Sequence, residues 1–402
     1  MQKPVPLLLL KYGVLMMTIE GRISKLCDDA QRIVIKVGSA LLFDPETGQA
    51  KSDWMAGLAA DIAGLHAAGK QVIVVSSGSI ALGRRRLGLD TRSIRLEEKQ
   101  AAAATGQVEL AQRWSEVFDA HQLQTAQILL APEDTETRRR HINARATMAT
   151  LLGLGAVPVV NENDTVTTYE IRFGDNDRLA ARVAAMMSAD LLILLSDVDG
   201  LYDRNPKTDS SARHIPLIAK LDDSIMAMGG KSDTEFASGG MATKLDAAQI
   251  ASPAGVDMVI CSGLVPRPVT ALRNGAQASL FLASTTPVNA RKNWIAGALN
   301  PTGHITIDNG AINAVLQGKS LLPVGVISVS GQFDRGDLVQ ILNEGGDVLG
   351  CGLAGYSSTE AGRLAGQRSA DIGTILGYEG RAELIHADDL VITRQELDSN
   401  QA

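Results

Sequence analysis

Residues 32–75, RIVIKVGSALLFDPETGQAKSDWMAGLAADIAGLHAAGKQVIVV, decide how this chain folds. Residues 32–37 form a short run dense in β-branched side chains and read as a buried strand. Trp54, Leu58, Ile62 and Leu65 then recur at the spacing of one helical face, and Gly69 stops that helix. Residues 72–75 supply the next strand. Strand, helix, strand in this order is a βαβ unit, whose crossover is right-handed and whose strands run parallel.

The same alternation continues along the chain. Further strands are expected at 128–130, 157–160, 191–195 and 258–261, separated by helices at 97–119, 138–152, 177–187 and 241–251. Residues 31–285 therefore read as one α/β domain, an open, mainly parallel sheet sandwiched by helices. After Pro287 the pattern changes. Short strands at 305–307, 325–329, 338–342 and 348–353 lie between Gly, Asp and Asn turns, so a small β-rich domain is expected over 302–392. Residues 286–301 are left as a linker and 393–402 as a polar tail.

Composition narrows the class. The 402 residues are 45% apolar and 21% charged with a formal charge of −7, which gives no basic bias toward nucleic acid or anionic membrane. Three widely spaced cysteines, Cys27, Cys261 and Cys351, form neither a disulfide framework nor a zinc motif, and a cytoplasmic location is expected. Apolar runs at 5–10 and 14–17 are broken by Lys11, Tyr12 and Gly13, too interrupted to span a bilayer. With the single early Lys3 and no small-residue cleavage site they make a weak signal peptide. Residues 1–17 are expected to be loosely held, within an N-terminal extension over 1–30.

Chemistry concentrates where strands end. Residues 157–178, VPVVNENDTVTTYEIRFGDNDR, leave a buried strand through two acid-amide clusters, Asn161 to Asp164 and Gly174 to Asp177. Open α/β sheets bind ligands at the carboxyl ends of their strands, so a polar pocket for a small polar molecule is expected there. Three glycine turns, Lys36-Val-Gly-Ser39, Ser76-Ser-Gly-Ser79 and Ser238-Gly-Gly-Met-Ala-Thr-Lys244, would bring main-chain amides and two lysines to phosphate oxygens. No GxxxxGK[ST] loop occurs, so the phosphate cradle is of another kind. The turn at Ser196-Asp-Val-Asp-Gly200 lacks the ligand spacing of a calcium loop and suits a nucleotide contact better; no metal ligands are assigned to the chain. The basic runs 84–86 and 138–140 are read as solvated or oligomer-contacting helix faces.

From residue 31 to about 390 the chain resembles the glutamate 5-kinase (gamma-glutamyl kinase) family, amino-acid kinases with a C-terminal PUA domain. The resemblance rests on IVIKVGSALL, VIVVSSGSIALGRRRLG, EKQAAAATGQ, RRRHINARATM, VPVVNENDTV, FGDNDRLAA, LLSDVDGLY and SGGMATKLDAA. It departs from the family pattern at Ser76 and Ser196, where threonine is often seen. The resemblance implies the amino-acid kinase fold over 31–285 and a PUA-like domain over 302–392. It also implies transfer of the ATP γ-phosphoryl group to the side-chain carboxylate of L-glutamate, with Mg²⁺, as the first step of proline biosynthesis.

The resemblance places Lys36 and Lys244 on the ATP phosphates as catalytic cations, with Gly38 and Gly78 giving the phosphates backbone access. It places Ser196, Asp197 and Ser238, Gly239, Gly240, Met241, Ala242, Thr243 and Lys244 at ATP. Ser77, Asp164 and Asn176 would hold glutamate. Asp175 and Asp177 are candidates for orienting the lysines or for closing a turn. Feedback inhibition by proline, assembly into dimers or tetramers and docking of a glutamyl-phosphate reductase are further implications.

The residues themselves leave two rivals open, a kinase of another acid and an RNA-binding module. Against RNA stands the second domain's charge, eleven Asp and Glu against five Lys and Arg over 302–392.

Overall fold

The computed structural model describes residues 18–44, 49–89, 94–166, 176–230, 240–296 and 301–392. The chain divides into two compact units, Met1–Thr135 with Arg145–Thr285, and Glu136–Ala144 with Thr286–Ala402.

In the first unit an eight-stranded sheet is built from β1 (Arg32–Val37), β2 (Gln71–Ser76), β3 (Thr125–Leu130), β4 (Val157–Glu162), β5 (Leu191–Ser196), β8 (Leu217–Ile218), β9 (Asp257–Ser262) and β10 (Ala278–Phe281). The order is β3-β4-β2-β1-β5-β9-β10-β8. The six strands from β3 to β9 run parallel; β10 is antiparallel to β9, and β8 is parallel to β10. β4 and β5 are buried along their whole length, as strands covered on both faces must be; β5 reads as an almost unbroken apolar run, and β4 as one up to Val160, before the buried polar Asn161 and Glu162. A separate hairpin pairs β6 (Leu201–Tyr202) with β7 (His214–Ile215).

The helix Ser52–Ala67 buries Trp54, Leu58, Ile62 and Leu65, the periodic set seen in the sequence. Gly69, at φ +78, turns the chain out of it. The helices Ser79–Arg86 and Leu96–Asp119 cross closely: a Cβ on Gly83 would fall 1.7 Å from the Ala102 carbonyl oxygen. This close contact fixes the first helix, which begins just after β2.

Two expectations need correction. Residues 18–30, expected as part of an N-terminal extension, belong to the first unit's core: Thr18 caps a helix, Ile19–Asp29, whose Ile23 and Cys27 are buried in the same core as β1. Ile19, Ile23, Leu26 and Cys27 have the spacing of one helical face. Residues 1–17 lie outside the described residues. The stretch expected as a linker contains a helix, Pro287–Ala296, whose Ile295 is fully buried with Ile142, Leu338 and Leu353 in the second unit.

That unit holds a five-stranded sheet of β11 (Gly303–Ile307), β12 (Val326–Gly331), β13 (Leu338–Leu342), β14 (Val348–Leu353) and β15 (Leu390–Ile392), ordered β12-β11-β13-β14-β15. β11 and β13 are parallel and the other pairs antiparallel. Among the described residues no helix is long and apolar enough to cross a membrane.

Candidate functional site

The connection leaving β1 leads to β2 on one side, while that leaving β5 leads through the β6–β7 hairpin to β8 on the other. Adjacent strands whose connections diverge open a crevice at their carboxyl ends. A cleft of about 670 Å³ opens at these ends, lined by Lys36 near the end of β1 and Gly38 after it, Ser77 and Gly78 after β2, Asp164 after β4, and Ser196 at the end of β5 with Asp197 after it. Asn176 and Lys244 complete its wall. A second cleft of about 510 Å³ is lined by Gly240, Met241, Met228 and the hairpin residues Tyr202 and Lys207. Ser196, Asp197 and Lys244 line both clefts and so form their shared edge.

Four helices begin at these walls: Ser39–Leu42 after Gly38, Ser79–Arg86 after Gly78, Asn176–Met186, and Met241–Ala251 after Gly240. Their N–H ends carry partial positive charge, a setting suited to phosphate oxygens. Gly78 is required on two counts. Its φ is +114, and a Cβ there would meet the Phe43 ring 2.6 Å away.

The two lysines converge on Asp177. Lys36 Nζ lies 2.5 Å from Asp177 Oδ1, and Lys244 Nζ lies 3.0 Å from Oδ2. Lys36 is 5% exposed, Lys244 4% and Asp177 0%. Burial acts most strongly on the Asp177 carboxyl and pushes its pKa up, but the Lys36 and Lys244 ammoniums together outweigh burial and hold it below the usual carboxylate range. Asp177 thus orients both cations at once, whereas Asp175 lies outside the described residues. The three groups sum to one formal positive charge.

Around Ser77 the wall is a buried amide network. Asn176 Nδ2 lies 2.7 Å from Ser77 Oγ, 3.0 Å from Asn161 Oδ1 and 3.2 Å from the Ser76 carbonyl oxygen. Asn161 Nδ2 in turn donates to Gln107 Oε1 at 2.8 Å and to Ser79 Oγ at 3.2 Å. Asp197 accepts from Lys207 Nζ at 2.6 Å, and that hydrogen bond is the main reason its carboxyl lies below the usual range.

Of the residues singled out in the sequence, Lys36, Gly38, Ser77, Gly78, Asp164, Asn176, Ser196, Asp197 and Lys244 share the first cleft, and Gly240 and Met241 line the second. Ala242 packs beside Gly229, and Thr243 Oγ1 lies 3.2 Å from Asp177 Oδ2, so neither lines a cleft. Ser238 and Gly239 lie outside the described residues.

The structure adds residues that the motifs did not single out. Arg84 is half-buried and lines the first cleft, its guanidinium held on the Leu89 carbonyl oxygen, while Arg85 and Arg86 face solvent. Ile80, Ala81 and Arg84 share one helical face, a spacing that separates Arg84 from its neighbours in the run. In the second unit Arg138 lies over the Trp294 ring, 5.3 Å from its centre, and is half-buried rather than solvated.

Comparison with known proteins agrees with this geometry. The amino acid kinase family pattern matches residues 31–262, and the PUA domain pattern matches residues 303–376. A glutamate 5-kinase of Bradyrhizobium sp. (strain BTAi1) is 54% identical over 365 residues, covering 91% of this chain and 97% of that protein. A glutamate 5-kinase of Rhodopseudomonas palustris (strain BisB18) is 55% identical, covering 90% and 96%. Another, of Bradyrhizobium diazoefficiens, is 53% identical, covering 90% and 97%. With a parallel sheet, paired clefts and near-complete coverage of such relatives, the chain belongs to the amino acid kinase family, in its glutamate 5-kinase branch, and carries a PUA domain.

Proposed function

We infer that this chain transfers the γ-phosphoryl group of ATP to the side-chain carboxylate of L-glutamate, giving L-glutamyl 5-phosphate, the first step of proline biosynthesis. The observation that carries the reading is the Lys36–Asp177–Lys244 triad beside the shared edge of two clefts. ATP occupies the second cleft with its phosphates directed across Ser196, Asp197 and Lys244. Glutamate occupies the first, its α-ammonium near Asp164.

The chemistry needs no general base. A glutamate side chain has a pKa of about 4.3 and is ionised at neutral pH, so its oxygen attacks Pγ directly. One O–P bond forms, the bond from Pγ to the β-bridging oxygen breaks, and ADP leaves with the electron pair; no proton moves. The barrier is lowered by alignment and by charge neutralisation on the phosphoryl oxygens. Lys36 and Lys244, both oriented by Asp177, and the helix N-termini supply that neutralisation.

Mg²⁺ belongs to this reading as an ion bound to ATP, where it neutralises the polyphosphate. Bound beside substrate phosphates, Mg²⁺ would take most of its ligands from phosphate oxygens and water, with one or two carboxylates from the protein. Asp197, at the shared edge of the clefts, is the carboxylate placed to share it. A cytoplasmic site of action, inhibition by proline, self-association and delivery of the labile product to a reductase complete the proposal; the family resemblance supports them.

Acyl phosphates react with hydroxylamine to give hydroxamates. Purified protein with ATP, Mg²⁺ and hydroxylamine is expected to form hydroxamate from L-glutamate and little from aspartate or N-acetylglutamate. Faster turnover of another acid would move the acceptor assignment; no turnover of any acid would overturn the reading.

A further inference from the structure

The polarity of the amide network beside Ser77 follows from one group that cannot change sides. The Ser76 main-chain carbonyl only accepts hydrogen bonds, so the Asn176 atom 3.2 Å from it is the amide nitrogen. That nitrogen has two protons and three acceptors around it, Ser76 O, Ser77 Oγ and Asn161 Oδ1. Its donors are therefore taken. What remains is Asn176 Oδ1, to which no described residue donates, on a side chain that lines the first cleft. Asn176 thus offers the acceptor substrate an oxygen, not the amide donor that a substrate carboxylate would need.

The same logic passes outward. Because Asn161 Oδ1 receives Asn176, Asn161 Nδ2 must donate, and its two protons meet Gln107 Oε1 at 2.8 Å and Ser79 Oγ at 3.2 Å. Asn161 is 2% exposed and Gln107 9%, so little water competes for these positions. Gln107 sits on the helix Leu96–Asp119, on the face that buries Ala103, Gly106 and Leu110. A lone polar side chain on that face has no role in packing that an apolar residue would not fill better.

We propose that Gln107 is a positioning residue for substrate recognition: through Asn161 it locks Asn176 with its oxygen toward the cleft, where that oxygen and Asp164 together select the α-ammonium of the amino-acid acceptor. The inference rests on the glutamate kinase reading and deepens it. Without Gln107 as acceptor, Asn161 Nδ2 keeps only the Ser79 hydroxyl, which can accept or donate and so does not keep the amide from turning over. An Asn161 nitrogen would then face the Asn176 nitrogen, and the Ser76 carbonyl would be left to hold the Asn176 amide without Asn161.

The test compares L-glutamate with glutarate, the same dicarboxylate without the α-ammonium, using ATP-dependent hydroxamate formation. The parent protein is expected to prefer glutamate strongly in kcat/KM. Gln107→Met fills the space without an acceptor and is expected to cut that preference roughly three- to tenfold, the range of one lost hydrogen bond. The KM for glutamate should rise while the KM for ATP stays within twofold. Gln107→Glu keeps an acceptor toward Asn161 and should restore the preference.

A Gln107→Met protein whose preference is unchanged within twofold overturns the proposal, as does a parent that does not distinguish the two acids. Loss of packing alone would slow both acids equally and leave the ratio unmoved, which also counts against it. If Gln107→Met does not fold, Asn161→Asp decides: an oxygen still faces Asn176, so the preference is expected to persist, and a tenfold drop would refute the relay. A parent inactive on glutamate would instead sink the kinase reading itself.

Discussion

Replacing Asp177 by Asn tests the electrostatic design of the site, because the substitution removes one charge and little volume. Two ammoniums that are about 95% buried now share a single carboxylate, at 2.5 and 3.0 Å. Removing one partner from a buried ion pair costs about 3–5 kcal/mol, since the remaining charge stays desolvated without compensation. For a domain of this size each kcal/mol lowers Tm by about 2–4 °C, so a fall on the order of 10 °C is expected at neutral pH.

The pH dependence has a definite sign. The Asp177 carboxyl is held below its ordinary value in the folded protein, so its contribution is complete above the unfolded pKa of about 3.9 and is lost as pH falls through the lower folded value. The Tm gap between parent and Asp177→Asn should therefore be full from about pH 5 upward, narrow as pH falls below about 4, and close only below the lowered folded value. Turnover suffers separately. Displacing the lysines by about 1 Å costs on the order of 100-fold in kcat. Differential scanning calorimetry across pH, with hydroxamate kinetics well below Tm, reads both effects. A variant with parental Tm and kcat at pH 7 would refute the claim that Asp177 holds the two cations.

Three other outcomes follow from the geometry. Lys244→Ala should lower kcat by roughly 100-fold or more while raising the KM for glutamate far less, because its charge acts on the transferring group; steady-state kinetics with parental turnover would remove it from the reaction. Asp164→Ala should raise the KM for glutamate at least about tenfold, the size of a lost hydrogen bond to a charged group, and leave the KM for ATP nearly unchanged. An unaltered glutamate KM would take Asp164 out of the acceptor site. Gly78→Ala places a methyl group at φ +114 and 2.6 Å from the Phe43 ring, and should cost about 1–3 kcal/mol in thermal or chemical unfolding. A stability within error of the parent would show that neither constraint holds.

What the sequence disclosed and what it hid divide along physical lines. Trp54, Leu58, Ile62 and Leu65 announced a buried helical face because burial imposes its period on the residues, and the β-branched runs on either side announced a parallel sheet in the same way. Lys36, Ser77, Asn176 and Lys244 stood out because glycine turns and acid-amide clusters at strand ends serve folding poorly. Their convergence could not be read, since residues 36, 177 and 244 meet only through sheet order.

Other positions carried no local signal. Arg84 looked like its neighbours Arg85 and Arg86, and only its place on the helix separates it from them. Gln107 was one polar residue among alanines, its partner Asn161 lying 54 positions away. The helix Ile19–Asp29 follows a broken apolar segment, and its signal is short: Ile19, Ile23 and Cys27 at the helical period. The helix Pro287–Ala296 has only a weakly amphipathic pattern, and it is held by the buried Ile295 and by the ion pair of Arg291 with Asp389.

The route of the transferred group is open to direct inspection with L-glutamate carrying ¹⁸O in its side-chain carboxylate, supplied with ATP, Mg²⁺ and hydroxylamine. Hydroxylamine attacks the acyl carbon of the product, so the phosphate released keeps the oxygen that joined carbon to phosphorus. Attack by the substrate's own carboxylate predicts one ¹⁸O atom in each phosphate formed, detected by mass spectrometry. Unlabelled phosphate would mean that water, and not glutamate, receives the phosphoryl group, and would contradict the account.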